Sequence, residues 1–316
     1  MFMLNKKQVL EKYEVTKAMA NTIIKLAKKA SDADEQLGNI IEYYATIFIA
    51  RRGNIASIKD FGYNKLLFDA IGHFLQQRKI AVIDSNSISL IDKNVSPSLK
   101  TKFKETFMFS VVNGLFSTLG NFDLSLEWNS EPTHPIINEL NRDPYVVSKI
   151  VLLLDFINKH AKISENSRIL LIANNFSLFP LLFEKAFQQS YDLLVFKESL
   201  SIVYSALLSD LLNQIYVGNQ LKNINIRTNY DFVFSFLPLS FLPFQVEYFM
   251  QWIPTVLSGK FIFYQVFSSS RKNCYLDILF SFFEDYRPLT ERDLIRNIER
   301  FSLKWSREKL FFDVFF

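Results

Sequence analysis

Glycine is scarce in this chain. Its 316 residues include eight, against about 7% in average usage. None lies between Gly120 and Gly218. A chain so poor in glycine forgoes unfolded-state freedom, which favours stability. One cysteine, Cys274, excludes an internal disulfide and any site built from several cysteines. It reads as a small buried apolar residue rather than a nucleophile, and it fits a reducing cytoplasm. The three histidines, His73, His134 and His160, are too scattered for a metal site. No Ser-His-Asp order, phosphate-binding P-loop or paired-Cys motif is present. Met1 to Leu10 lacks the apolar core of a signal peptide. The most membrane-like stretch, the uncharged residues 232–246, is interrupted by Pro238 and Pro243 and is shorter than the roughly 20 residues a span needs. It is expected to be a buried strand and its loop, not a membrane segment.

What is abundant is apolar and aromatic. Hydrophobic residues make up 49% and charged residues 22%, with 33 phenylalanines. The net charge is +4 with pI near 8.9, too mildly basic to imply nucleic acid. The length suits two domains.

The first part of the chain reads as helical. Residues 5–30 carry an apolar stripe from Val9 to Ala27 with lysines opposite, and residues 34–50 form a second helix. A short segment, Ile55 to Asp60, precedes a third helix from Asn64 to Arg78. Lys79 to Asp84 and Ser87 to Asp92 then flank a Ser-Asn turn, a hairpin signal. Three helices and a hairpin make a winged-helix unit over residues 1–95. Its third helix is dominated by Phe and Leu, with only Lys65, Arg78 and Lys79 basic, so it is expected to pack rather than read DNA. Residues 96–145 form a connector with a helix at Lys100 to Leu119. Asp143-Pro144 starts a helix running to about His160.

From residue 146 to 316 the pattern is doubly wound α/β. Strands are expected at Ile169–Ala173, Leu193–Phe196, Ile224–Arg227, Asp231–Phe236 and Lys260–Val266. Helices are expected at Leu178–Gln188, Leu200–Gln214, Pro243–Leu257 and Cys274–Phe283, with Gly259 as a helix C-cap. Thr290 caps a further helix, and strands near Ser302–Ser306 and Leu310–Phe316 close the chain. The strands are apolar without alternation, which predicts burial on both faces.

This order resembles the class I S-adenosylmethionine-dependent methyltransferases, in particular the two-domain small-molecule O-methyltransferases with an N-terminal winged-helix dimerisation domain. Arg168 to Ser177 resembles the family's first strand and cofactor loop. Ala173, Asn174, Asn175 and Ser177 stand where the family has mostly glycine and other small residues, and asparagine tolerates left-handed backbone. Leu193 to Glu198 resembles the second strand, so the resemblance places Glu198 as the acid that holds the ribose hydroxyls. Tyr230 to Phe236 resembles the fourth strand, with Phe236 and Leu237 at the pocket edge. Residues 238–240 read Pro-Leu-Ser where the family carries a catalytic His, and no catalytic residue is assigned. The resemblance implies a Rossmann-like fold, S-adenosylmethionine as cofactor, no metal, a small-molecule substrate and a homodimer formed through the N-terminal domain. Two other readings stay open: a catalytically inactive binding or scaffold protein, with Phe176 and Phe179 filling the pocket, and a winged-helix DNA-binding regulator.

Overall fold

A computed structural model describes residues 30–92, 108–119, 135–173, 177–218, 226, 229–236, 239–243, 245–267, 275–283, 285–308 and 311–315. In chain order the elements are α1 (Ala30–Ala50), β1 (Ile55–Ser57), α2 (Lys65–Gln77), β2 (Ala81–Ile83), β3 (Ser87–Leu90), α3 (Phe109–Thr118), α4 (Pro135–Arg142) and α5 (Pro144–His160). There follow β4 (Ile169–Ala173), α6 (Phe179–Phe187), β5 (Tyr191–Val195), α7 (Glu198–Leu207), β6 (Leu212–Val217), β7 (Tyr230–Phe236) and α8 (Val246–Val256). The last are β8 (Leu257–Tyr264), α9 (Tyr275–Phe280), α10 (Glu291–Arg300), β9 (Lys304–Glu308) and β10 (Phe311–Phe315). The described residues fall into two compact units. One holds those within Lys29–Trp128 and Ser269–Pro288, the other those within Asn129–Ser268 and Leu289–Phe316. The helix expected over residues 5–30 lies outside the described residues.

In the helical unit a three-stranded antiparallel sheet, ordered β1-β3-β2, packs with α1 and α2. The Asn64 side chain caps α2 by accepting the Leu67 N–H at 3.0 Å. That helix buries Leu67, Phe68, Ile71, Phe74 and Leu75. Asp84 shapes the hairpin turn by accepting the backbone N–H of Asn86 and of Ser87. Between β1 and α2, Asp60 accepts the Ser57 N–H at 2.7 Å and its hydroxyl at 2.8 Å. Arg78, just past α2, ties the unit together. Its guanidinium reaches Asn39 and Glu42 of α1 at 2.8 and 3.0 Å, and the Tyr275 hydroxyl of α9 at 3.0 Å. The Asn64 amide also donates to the Ser281 carbonyl. The segment around α9, which follows β8 in sequence, is thus built into the helical unit.

The other unit is a seven-stranded sheet ordered β6-β5-β4-β7-β8-β10-β9. Strands β4 to β8 run parallel, and β10 is antiparallel to both β8 and β9. Every residue of β4 is buried, and so are Val233, Phe234 and Phe261 to Tyr264. The apolar runs have the predicted cause: helices cover both faces. On one face Leu170, Ile172, Val233, Phe261 and Phe263 pack with Phe249 and Ile253 of α8 and Leu294 and Ile298 of α10. On the other, Phe183 of α6 lies 5.7 Å from Phe234, and Phe156 of α5 stacks 5.4 Å from Phe311. One buried ion pair joins β8 to β10: Lys260 Nζ stands 2.7 Å from Asp313, which is almost fully buried.

Two expectations fail. The helix predicted to run to Gln214 ends at Leu207, and Leu212–Val217 is the edge strand β6. Asn213 and Gln214 point into solvent because β6 pairs on one side only, so its polar residues imitate a helix surface. The strand expected at residues 224–227 lies outside the described residues, save for Ile226. Gly259 does not cap a helix. Leu257, with extended backbone, ends α8, and Gly259 lies within β8. There the β7–β8 register slips between Tyr230 and Phe232, leaving Ser258 and Gly259 opposite Asp231. A Cβ on Gly259 would collide with the Asp231 carbonyl oxygen. The requirement is close approach, not a positive φ.

Gly259→Ala should therefore destabilise the protein by about 1–3 kcal/mol, read as a lower urea midpoint. A second prediction concerns acid. Burial pulls the Asp60 carboxyl upward, but the Ser57 hydrogen bonds and the Arg52 guanidinium outweigh it and hold it below the ordinary 3.8. The stability this contributes is present above pH 3.8 and is lost as pH falls through the lower folded value. The stability gap between wild type and Asp60→Asn should therefore be full at neutral pH and close as the pH drops below that range.

Candidate functional site

The chain leaves β4 in one direction, through β5 to the edge strand β6, and returns to β7 on the other side of β4. The order of strands thus reverses between β4 and β7. In an open α/β sheet the carboxyl ends of the strands at such a point border a crevice suited to a ligand. Ala173, buried, ends β4. It pairs with Val195, the last residue of β5. The two strands at the reversal are held together by side chain as well as backbone, since the fully buried Ser235 hydroxyl donates to the Ile172 carbonyl at 2.8 Å.

The loop after β4 is anchored where it becomes describable again. The Tyr204 hydroxyl of α7 accepts the Ser177 N–H at 2.8 Å and donates to the Ser177 carbonyl at 3.1 Å. The Ser177 hydroxyl in turn accepts the Phe179 N–H at 3.1 Å, at the start of α6. Tyr204 is 1% exposed, so one buried phenol fixes the exit of the loop. Asn174 and Asn175 lie outside the described residues, as do Phe176 and Leu237.

Glu198 stands three residues beyond Val195, at the first position of α7, and is exposed. Its carboxylate receives one long bond, 3.4 Å from the Ser201 hydroxyl, so most of its acceptor capacity is uncommitted. Its place in the first turn suits its charge, because the helix N-terminus favours an anion. Phe236, at the end of β7, is 6% exposed and stacks on Tyr264 at the end of β8, with centroids 5.0 Å apart. Ala173, Glu198 and Phe236 thus all belong to the carboxyl edge of β4, β5 and β7.

One polar pair at this edge is not foreseen from the sequence. After β8, Gln265 is fully buried, and its amide donates to the Ser240 hydroxyl and the Val266 carbonyl, each at 2.5 Å. Its carbonyl oxygen has no partner among the described residues. The signal was present: Gln265 is the one polar side chain in the run Phe261 to Phe267. Phe179 is also placed, fully buried at the start of α6.

The other candidates lie elsewhere. His73 is exposed on α2, where Nδ1 lies 2.7 Å from the Asp69 carbonyl oxygen. His160 ends α5, stacks on Phe156 at 4.1 Å and lies 3.9 Å from Asp313. Its carbonyl accepts from Lys260, four residues before the carboxyl end of β8. His134 and Cys274 are outside the described residues. Among the described residues no cluster of His, Cys, Asp and Glu could hold a metal ion, and no helix is long and apolar enough to cross a membrane.

No protein-family model matches the sequence, and no curated protein matches it significantly. Solved structures do. The chain is similar to the CurJ carbon methyltransferase, with 12% identity, 99% of each chain covered and a TM-score of 0.61. It is also similar to the pyocyanin biosynthetic protein PhzM, with 11% identity over 94% of this chain and 98% of that one and a TM-score of 0.48. A putative O-methyltransferase from Nostoc punctiforme shares 13% identity over 97% and 98%, with a TM-score of 0.46. The first likeness shows the fold alone: this chain's seven-stranded α/β unit has a Rossmann-like methyltransferase fold.

Tyr204→Phe removes the group that holds Ser177 on both sides. It should lower stability by about 1–3 kcal/mol, because the Ser177 N–H is left unmatched, and should speed proteolysis in the loop after β4.

Proposed function

We propose that the α/β unit binds S-adenosylmethionine at the carboxyl edge of β4, β5 and β7 and transfers its methyl group to a small molecule. The observation that carries this reading is Glu198: an uncommitted carboxylate just beyond β5, beside the point where strand order reverses. Two carboxylate oxygens match the two hydroxyls of a ribose, so the residue fits the cofactor implied by the resemblance. In this reading Ala173 and Phe236, at the ends of β4 and β7, border the cofactor, and Asn174, Asn175 and Leu237, which follow them in sequence outside the described residues, are the further candidates to bind it. The methyltransferase fold shared with a carbon methyltransferase supports it.

When bound, the sulfonium supplies an electrophilic methyl group. What this chain supplies is position. Buried Ser235 and Tyr204 hold the strand ends and the loop exit, so two reactants can be kept in contact distance. Neither described histidine stands at this edge, so the acceptor must be one that gives up its proton without a histidine base from these elements. We further propose that the helical unit serves to pair two copies of the chain. Ile55 and Val82, each about half exposed, both align with Ser89 across the outer face of its sheet, which supports that role.

Calorimetric titration with S-adenosylhomocysteine tests the reading. Binding is expected, with Glu198→Ala weakening it by about tenfold or more, the loss of a charge-assisted pair. Absence of both heat and melting shift at millimolar ligand would falsify it and leave the non-catalytic reading in its place.

A further inference from the structure

Across the carboxyl edge, the ends of β4, β7 and β8 are pinned to one another in turn. The Ser235 hydroxyl joins β7 to β4 through the Ile172 carbonyl. Phe236, the last residue of β7, stacks on Tyr264, the last residue of β8, with the ring planes 10° apart. One residue further on, Gln265 reaches back to the segment after β7, where its amide donates to the Ser240 hydroxyl at 2.5 Å. Ser240 stands between buried Leu239 and Phe241, and both it and Gln265 are fully buried.

The orientation of the Gln265 amide is fixed. The Val266 carbonyl, also 2.5 Å away, can only accept, so the NH2 end must face it and Ser240. The amide oxygen is thereby turned the other way, where it finds no donor among the described residues. Such a pair is a poor source of stability. A polar group taken out of water needs its partners, whereas an apolar pair of the same size fills the space without that need. Gln265 nevertheless interrupts the apolar and aromatic run from Phe261 to Phe267. What a hydrogen bond adds to apolar contact is a fixed place. It holds at one distance and direction, where packed apolar side chains can slide.

The segment so held borders the proposed site. Leu237, a candidate to bind the cofactor, stands between Phe236 and Ser240 in the chain. We infer that Gln265 is a positioning residue for cofactor binding: through Ser240 it sets the segment after β7 at the carboxyl edge. Being fully buried, it acts on that segment and not on the ligand. The inference rests on the S-adenosylmethionine reading above.

Replacing both partners separates positioning from stability. Gln265→Met alone keeps the volume but deprives the buried Ser240 hydroxyl of the amide, and should lower the melting temperature. Gln265→Met combined with Ser240→Ala removes both polar groups together, so the melting temperature should return to that of wild type or above. Affinity for S-adenosylhomocysteine, measured by calorimetry well below every melting transition, should not return: the double variant should bind severalfold more weakly than wild type. Gly259→Ala, six residues earlier in the chain, destabilises β8 against Asp231 and should bind as wild type does. The inference is overturned if the double variant binds as wild type does. It is overturned too if that variant stays as unstable as Gln265→Met, or if Gly259→Ala loses as much affinity, since either marks general loosening. Wild type that binds no S-adenosylhomocysteine sinks the cofactor reading and this inference with it; wild type that binds no better than the double variant sinks this inference alone.

Discussion

The α/β unit depends on the burial of β4 on both faces and both edges. All five of its residues are 3% exposed or less. It is flanked by β5 on one side and β7 on the other, both parallel to it. A strand so enclosed can carry no polar side chain without a partner, and Ile-Leu-Leu-Ile-Ala carries none. Because the chain runs outward from β4 in one direction and resumes beside it in the other, helices are laid on both faces. The same reversal leaves the carboxyl end of β4 bordered by loops. The constraint that builds the core therefore also locates the candidate site.

The polar groups near that edge are few, and nearly all are built into the frame. Ser235 joins β7 to β4, Tyr204 holds Ser177, and Gln265 with Ser240 fixes the segments after β7 and β8. Buried side-chain hydrogen bonds of this kind rigidify their surroundings because breaking one leaves an unsatisfied group in low dielectric. Glu198 is the exception. Its exposed carboxylate is near the frame but takes only one long bond, from Ser201, among the described residues.

The scarcity of glycine has a second face. Of the described glycines only Gly53 and Gly62 take positive φ, while Asn54, Tyr63, Lys79, Met108, Gln188 and Ser302 do so without being glycine. A left-handed non-glycine costs about 1–2 kcal/mol, which offsets the entropy saved by avoiding glycine. Gln188 shows the substitution directly, ending α6 in the conformation usually left to glycine. Where the constraint is close contact rather than dihedral angle, as at Gly259 against Asp231, no substitute has been used.

Most of the architecture was legible along the chain. The apolar runs marked β4, β7 and β8, Asn64 and Thr290 marked helix starts, and Asp143-Pro144 marked the start of α5. These signals are local: a cap satisfies its own helix, and a run of Ile, Leu and Phe needs burial wherever it lies. What only the tertiary structure decided depends on neighbours distant in sequence. β6 is a strand because β5 offers it a free edge. Gly259 is required by a bulge opposite Asp231. The segment at Tyr275 joins the helical unit through Arg78, 197 residues earlier. The Tyr44 hydroxyl and the Gln265 carbonyl oxygen, which have no partner among the described residues, are likewise invisible in one dimension, because whether a polar group is satisfied is set by what folds against it.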